Sequence, residues 1–206
     1  MTTRIIICRH GNTFDKGDVV TRVGGRTDLA LSISGQAQAE RLRGVFHPNN
    51  SPYNFTRAFS SNLRRTRDTG LKILENAHPA RLLNRDFLKE IDYGIDENRP
   101  ETDVVERLGQ DVLNDWDQKA IVPDGWDVNP KQIRADWRKF LIEMAESPGD
   151  VLVVTSNGIA RFCLNAVDAI TCGEPPLKLA TAAYGIIVCE NEKIILQSWN
   201  LRPPEL

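Results

Sequence analysis

The sequence lacks any long hydrophobic run. The apolar stretches Ile5–Cys8 and Val151–Val154 span four residues each, whereas a membrane-spanning helix needs about 20 apolar residues. The stretch near the start is also too short for the core of a signal peptide. We therefore expect no membrane partner and a cytoplasmic protein.

Cysteine is scarce, and charge of one sign is not in excess. The four cysteines show neither a CxxC pair nor zinc-type spacing, so we expect buried free thiols without a disulfide framework or a structural metal. The formal net charge is only -2, which gives no global field favouring nucleic acid or an acidic membrane surface. Any anion site must therefore be local.

The chain alternates strand-like and helix-like segments. With 206 residues, it favours one domain over residues 1–206. Period and composition predict strands at Arg4–Cys8, Arg57–Ser60, Val151–Thr155, Ile186–Cys189 and, after an Asn191-Glu192 turn, Lys193–Gln197. This order predicts a three-layer α/β fold: a mostly parallel central sheet with helices on both faces and an antiparallel edge near the C-terminus.

Helix signals lie between those strands. Ser34 and Asn62 are predicted to cap two helices, and Asn129-Pro130 a third. Apolar residues recurring every three to four positions predict one further helix face after Pro100: Val104, Val105, Leu108, Val112 and Trp116.

Two clusters of polar residues follow predicted strands. Arg9 and His10 end the first strand, and Gly11 lets the backbone turn there. The stretch from Ser60 to Gly70 runs from a strand into an arginine-rich helix start. Cations at a helix N-terminus oppose its dipole unless an anion neutralises them. A solvated basic helix face would explain the second cluster equally well, but together the clusters indicate an anion site.

These residues belong to a longer set of motifs that resembles the histidine phosphatase superfamily, whose members are similar to cofactor-dependent phosphoglycerate mutases. The motif of arginine, histidine, glycine, a polar residue and threonine stands at residues 9–13. Further matches, spread from about Arg4 to Arg161, are Gly25, Asp28, Leu31, Ser34, Gly35, Gln38, Ala39, Ser61, Leu63, Arg65, Thr69, Leu88, Glu90 and Gly94.

The resemblance implies a phosphoryl transfer in which His10 becomes a phosphohistidine. Arg9 and Arg65 would keep the imidazole uncharged and bind the phosphoryl oxygens, and Glu90 would protonate the leaving group. Because the arginines supply the positive charge, we expect no metal and no other cofactor. The residues expected to contact the small phosphorylated substrate are Asn12, Thr13, Gly25, Tyr93 and Gly158.

One position departs from the family pattern. Asn157 stands after a strand where the family has a second histidine, while Gly158 and Arg161 match. The remaining histidines, His47 and His78, do not lie at strand ends. Asn157 can donate a hydrogen bond but carries no charge, which would weaken transition-state binding by about 1–3 kcal/mol. We count Asn157 among the catalytic residues. Its presence would mean one of three things: a slower enzyme, an enzyme for an unusual substrate, or a site that only binds phosphate.

Three functions remain open at this level. The chain is shorter than most mutases of the family, which favours a phosphomonoesterase, with a mutase or a weakly active phosphate-binding protein as alternatives. Lys16 and Trp126 stand where this sequence differs from its family and are predicted to set substrate specificity. Members of the family are often dimers, so a homodimer is a further expectation.

Overall fold

The computed structural model describes residues 2–204. Its strands form one seven-stranded sheet in the order β3-β2-β4-β1-β6-β7-β5. The strands are β1 (Thr3–Arg9), β2 (Phe55–Ser60), β3 (Leu82–Asn84), β4 (Gly149–Thr155), β5 (Ala169–Ile170), β6 (Tyr184–Glu190) and β7 (Lys193–Leu201).

The helices lie on both faces of this sheet. They are α1 (Ile33–Phe46), α2 (Arg64–Leu74), α3 (Glu101–Leu108), α4 (Gln110–Lys119), α5 (Pro130–Ala145) and the single turn α6 (Asn157–Ala160), with short 3-10 turns at Asp86–Leu88, Gly94–Asp96 and Arg161–Asn165. The three-layer α/β architecture expected from the sequence is thus confirmed.

The sheet is mixed, with one reversed strand. β1 pairs in parallel with β4 and antiparallel with β6, and β6 pairs antiparallel with β7. The antiparallel strand therefore lies inside the sheet, so the expectation of an antiparallel edge is wrong. The edges are β3 and β5, which the sequence analysis missed. They have only three and two residues, too few to show a hydrophobic period.

The near-continuous apolar runs of β1 and β4 follow from burial on both faces. Ile5 and Ile7 pack into one core cluster with Trp137 and Leu141 of α5. Ile6 and Cys8 point to the opposite side, into a second cluster with α1 and α2. The middle of the sheet is therefore rigid, and the side chains at its carboxyl end are held in fixed positions.

Two predicted helix caps are wrong. Ser32, not Ser34, caps α1, with its Oγ accepting from Gly35 N at 3.2 Å. Leu63, not Asn62, stands at the cap position of α2. A loop carboxylate from Asp28 accepts from Arg64 N at 2.7 Å. The backbone donors at this helix start thus find a tertiary partner that local sequence cannot reveal. The Asn129 cap of α5 is confirmed.

The single helix predicted after Pro100 is two helices. Gly109, at a φ of +81°, ends α3 and precedes α4. The break separates the predicted apolar face: Val104 and Trp116 are buried, whereas Val105 and Val112 are partly exposed. A left-handed backbone favours glycine, and this residue gave the only sequence signal for the break.

Three of the four cysteines are buried free thiols, as expected, and the fourth is exposed. Cys8, Cys163 and Cys189 are buried and unpaired, but Cys172 is exposed after the short strand β5. No helix within residues 2–204 combines the length and apolar character that crossing a membrane requires.

Candidate functional site

A cavity of about 620 Å³ opens at the carboxyl ends of β1 and β4. Seven of the ten predicted site residues line it: Arg9, His10, Asn12, Thr13, Glu90, Tyr93 and Asn157. The parallel pairing of β1 with β4, with Arg9 opposite Thr155, brings the two strand ends to one edge. Arg9 and Asn157, 148 positions apart in the chain, therefore share one wall.

His10 is held in one tautomer. Its Nδ1 lies 2.7 Å from Gly11 O, inside the protein. Because a carbonyl only accepts, Nδ1 carries the proton and Nε2 keeps a free lone pair. Burial lowers the pKa of His10 well below its usual range, and the charges of Arg65 and Arg9 lower it further. The imidazole is therefore neutral, as a nucleophile must be.

The turn after His10 requires glycine. A Cβ on Gly11 would lie 2.4 Å from Gly35 O, and one on Gly35 would lie 2.0 Å from Asn12 O. Asn12 also donates from its backbone to Gln38 Oε1 at 2.8 Å. The start of α1 thus packs directly against the loop that carries His10, which fixes the position of the ring.

Arg9 and Arg65 are oriented by backbone carbonyls. Arg9 Nη1 donates to Leu179 O at 3.0 Å. Arg65, which is 1% exposed, donates to Thr27 O at 2.8 Å and to Gly24 O at 3.1 Å. Arg65 does not line the cavity, but it acts electrostatically on both His10 and Glu90. The two guanidinium groups therefore create a positive potential at His10.

Glu90 is a buried carboxyl group facing the same cavity. Oε1 accepts from Ile91 N at 3.0 Å and Oε2 from Gly158 N at 3.2 Å. Burial raises the pKa of Glu90, and this outweighs the opposing influence of Arg65, the two N–H groups and Arg9. A carboxyl group with a raised pKa can hold a proton for delivery.

Gly25 and Gly158 stand behind Glu90 instead of on the cavity wall. A Cβ on Gly158 would lie 2.4 Å from Glu90 Oε1, and one on Gly25 would lie 2.5 Å from Glu90 O. Glycine at both positions lets the backbone approach the glutamate closely. The structure thus places these two predicted substrate-contacting residues around the carboxyl group.

Asn157 and Arg161 enter the cavity from successive turns after β4. Asn157 Oδ1 accepts from Leu179 N at 2.9 Å, so the remaining polar group of its side chain is the Nδ2 donor. The Arg161 guanidinium lies 4.1 Å from the Trp116 ring centre, and its Nη1 donates to Trp116 O at 2.6 Å. Sequence reasoning noted Arg161 as a match but gave it no role. Its spacing of four residues from Asn157 is the signal for a shared helix face.

The outer wall of the cavity comes from residues 14–23 and from α3 and α4. Arg22 Nη2 lies 2.5 Å from Glu101 Oε2, and its guanidinium lies 5.3 Å from the ring centres of both Tyr93 and Trp126. Sequence reasoning missed Arg22, because nothing in the local pattern indicates that Glu101 is its partner.

The two predicted specificity residues lie in different places. Lys16 lines the cavity. Trp126 is buried outside its lining, where Nε1 donates to Asp96 Oδ2 at 2.7 Å. Trp126 is therefore not part of the cavity wall, and any effect on specificity would act through Tyr93, against which the indole packs.

The two other histidines, His47 and His78, lie outside the cavity lining. His78 Nε2 lies 3.0 Å from Phe46 O, and its Nδ1 accepts from Phe55 N. Within residues 2–204, no cluster of three or more His, Cys, Asp or Glu side chains is arranged to hold a metal ion.

Comparison with known proteins agrees with this geometry. The curated 2,3-bisphosphoglycerate-dependent phosphoglycerate mutase of Rhizobium etli is 27% identical over 204 residues, covering 96% of both chains. Three solved structures share the fold at 18–20% identity. A phosphoglycerate mutase from Bacillus anthracis has a TM-score of 0.78, covering 97% of this chain and 93% of that one.

The other two solved structures are phosphatases. A mycobacterial glucosyl-3-phosphoglycerate phosphatase has a TM-score of 0.74, covering 98% of this chain and 100% of that one. The alpha-ribazole phosphatase from Shigella flexneri has a TM-score of 0.69 and covers 98% of each chain. The profile of the histidine phosphatase superfamily (branch 1) matches residues 5–202. With the profile spanning nearly its whole length, the chain belongs to the histidine phosphatase superfamily and is a phosphoryl-transfer protein of that group.

Proposed function

We propose that the protein hydrolyses a small phosphomonoester without a metal ion, through a phosphohistidine on His10. The observation that carries the proposal is the His10 ring. Gly11 O orients it, leaving Nε2 unprotonated, and burial with two nearby arginines keeps it neutral. A purely structural histidine does not need this combination of a free ring nitrogen facing a cavity and a strongly lowered pKa.

In the first step Nε2 attacks phosphorus as the bond to the leaving oxygen breaks. Glu90 gives its proton to that oxygen, so the alcohol leaves neutral. In the second step water attacks the phosphohistidine, and the Glu90 carboxylate takes the proton from the water. The N–P bond then breaks, which releases phosphate and restores neutral His10. Burial, which raises the pKa of Glu90, suits the donor role.

Charge on the phosphoryl oxygens is stabilised by fixed donors. Arg9 and Arg161 line the cavity, and Arg65 adds its charge from behind. Their hydrogen bonds to backbone carbonyls hold them in place before substrate arrives. Donors that need no reorganisation during the reaction contribute most to electrostatic catalysis.

Asn157 supports a second candidate, a phosphate-binding protein with slow turnover. Its Nδ2 is a neutral donor, and replacing an imidazolium by an amide at this point lowers the rate by roughly ten- to a hundredfold. Asn157→His is therefore expected to increase kcat by about that factor. A variant that shows turnover when the wild type shows none would support the binding protein.

A mutase activity is favoured by the Rhizobium etli relative, 96% of whose length aligns with this chain. It would transfer the phosphoryl group from His10 to a second acceptor instead of to water. Isomerisation of a phosphoglycerate after priming with a bisphosphate, faster than release of phosphate, would identify the mutase.

The test is a screen of phosphorylated metabolites and para-nitrophenyl phosphate with wild type, His10→Gln and His47→Gln, in buffer containing a chelator. We expect His10→Gln to lose roughly 10⁴-fold or more in kcat, and acid quenching of wild type to trap an acid-labile phosphoprotein. His47 lies outside the cavity lining, so His47→Gln serves as the matched control. Equal activity of His10→Gln and wild type would overturn the mechanism, as would inactivation by the chelator.

A further inference from the structure

A second cavity, of about 400 Å³, lies beside the first between α1 and the segment Ala180–Ala182. The two cavities share Arg9, Asn12, Lys178 and Thr181 in their walls. We call the second one the basic annex. Because Arg9 lines both cavities, the basic annex lies directly beside the site of His10.

The basic annex is unusual in its charge. Four cationic side chains line it, Arg9, Arg41, Lys178 and Arg202, and no carboxylate does among the described residues. Lys178, which both cavities share, lies 3.6 Å from Asp117, and Arg22 and Arg161 of the larger cavity are also paired with acids. Arg9, Arg41 and Arg202 have no salt-bridge partner among the described residues. A concave surface that carries unpaired cations attracts an anion.

Arg41 is the annex residue best placed to bind an anion, because its guanidinium is unpaired among the described residues. It is half-buried on α1, where neither a salt bridge nor a side-chain hydrogen bond engages its guanidinium within residues 2–204. The neighbouring Arg43 on the same helix is instead paired with Glu40 at 2.7 Å. A forked guanidinium left without an acid is suited to binding a phosphate or carboxylate oxygen pair.

We propose that the substrate carries a second anionic group, remote from the reacting phosphate, and that the basic annex binds it through Arg41, with Lys178 at the boundary of the two cavities. This inference rests on the proposed function for the reacting end and adds the class of substrate: a compound with two anionic ends. The second anion is a phosphate, a phosphonate or a carboxylate, since all three present paired oxygens to a guanidinium.

Binding can be tested without turnover. Calorimetry would compare propyl-, pentyl- and heptylphosphonate with the α,ω-bisphosphonates and ω-carboxyalkylphosphonates of the same chain lengths. For at least one chain length, we expect wild type to bind the doubly anionic ligand about tenfold more tightly than the monophosphonate, as one charge-assisted contact allows. Arg41→Gln should remove that advantage and leave monophosphonate affinity unchanged.

The matched control is Arg43→Gln, which removes the same charge from the same helix outside the annex. It should keep the tenfold advantage, and the advantage of the wild type should fall as salt rises. Equal affinity for singly and doubly anionic ligands in wild type, or an advantage that survives Arg41→Gln, would overturn the proposal. Turnover of the alkyl monophosphates, measured separately, tests the proposed hydrolysis, so failure of one proposal is visible without failure of the other.

Discussion

The reacting end of the cavity and its outer wall are built differently. At the reacting end, Arg9, Arg65 and Arg161 are each fixed by a backbone carbonyl. At the outer wall, Arg22 is held by the Glu101 side chain, and Val20 and Val105 are partly exposed. The reacting end thus depends on the backbone carbonyls of Leu179, Thr27 and Trp116, whereas the outer wall depends on a side-chain pair between a loop and a helix.

This difference separates chemistry from specificity. A backbone carbonyl is present whichever side chain its residue carries, so the phosphoryl donors can stay constant when the neighbouring side chains change. A wall held by a side-chain pair changes when either partner changes. Substitutions at the reacting end should therefore act on kcat, and those at the outer wall on KM or on nothing.

Glu90→Gln is the strongest way to break the reacting end without touching the nucleophile. We expect kcat to fall by roughly 10²–10⁴-fold for alkyl phosphates, because the leaving oxygen loses its proton donor. Para-nitrophenyl phosphate, whose leaving group needs little protonation, should lose much less. Equal losses for both substrates would contradict the acid role.

The same variant should change the pH profile of kcat/KM. The active form has neutral His10 and protonated Glu90. Since the pKa of His10 is lowered, activity persists as pH falls below the usual histidine range; since the pKa of Glu90 is raised, activity is lost as pH rises through that higher value. Wild type should thus lose activity on the alkaline side of its optimum, and Glu90→Gln should lack that alkaline loss.

Gly158→Ala tests how tightly the reacting end is packed. The new Cβ would lie 2.4 Å from Glu90 Oε1, so the carboxyl group must move and one N–H contact is lost. We expect kcat to fall about ten- to a hundredfold, since small misplacements of a catalytic group are costly. Gly44→Ala is the control: a Cβ there meets nothing within 4 Å, and the free energy of unfolding should rise by about 0.5–1 kcal/mol. Full activity of Gly158→Ala would show that the Glu90 position is not critical.

Trp126→Phe tests whether Trp126 stabilises the core or contributes to substrate binding. The variant loses the donor to Asp96, a fully buried carboxylate, so we expect the free energy of unfolding to fall by about 1–3 kcal/mol in denaturant titration. Activity should change by less than about twofold. Trp199→Phe is the matched control, because Trp199 Nε1 has no hydrogen-bond partner among the described residues. A change in KM with an unaltered free energy of unfolding would show that Trp126 acts on substrate binding instead of on stability.

Lys16→Gln should have the smallest effect. Lys16 is exposed on the outer wall, and an exposed charge contributes at most about 1 kcal/mol. Steady-state kinetics should show KM raised by no more than a few-fold with kcat unchanged, compared with Lys139→Gln on α5 as control. A fall in kcat would show that Lys16 takes part in the chemical step.

Some parts of the site were predictable from local sequence, and others were not. The strand ending in Arg9-His10 is signalled by the β-branched run before it, and the α5 cap by Asn129-Pro130. The cap of α2 was not predictable, because Asp28 reaches it from a loop 36 residues away. The same holds for the Arg22–Glu101 pair, which joins residues 79 positions apart.

The sequence by itself determined the α/β alternation, the family and the residues available for chemistry, because these follow from hydrophobic period and from motifs that lie within a few residues of each other. Only the tertiary structure decided which polar groups meet. The raised pKa of Glu90, the neutrality of His10 and the core position of Trp126 all depend on burial and on partners from distant segments. So does the charge of Arg41, which has no salt-bridge partner among residues 2–204. Burial and long-range pairing are properties of the packed chain, and no local pattern encodes them.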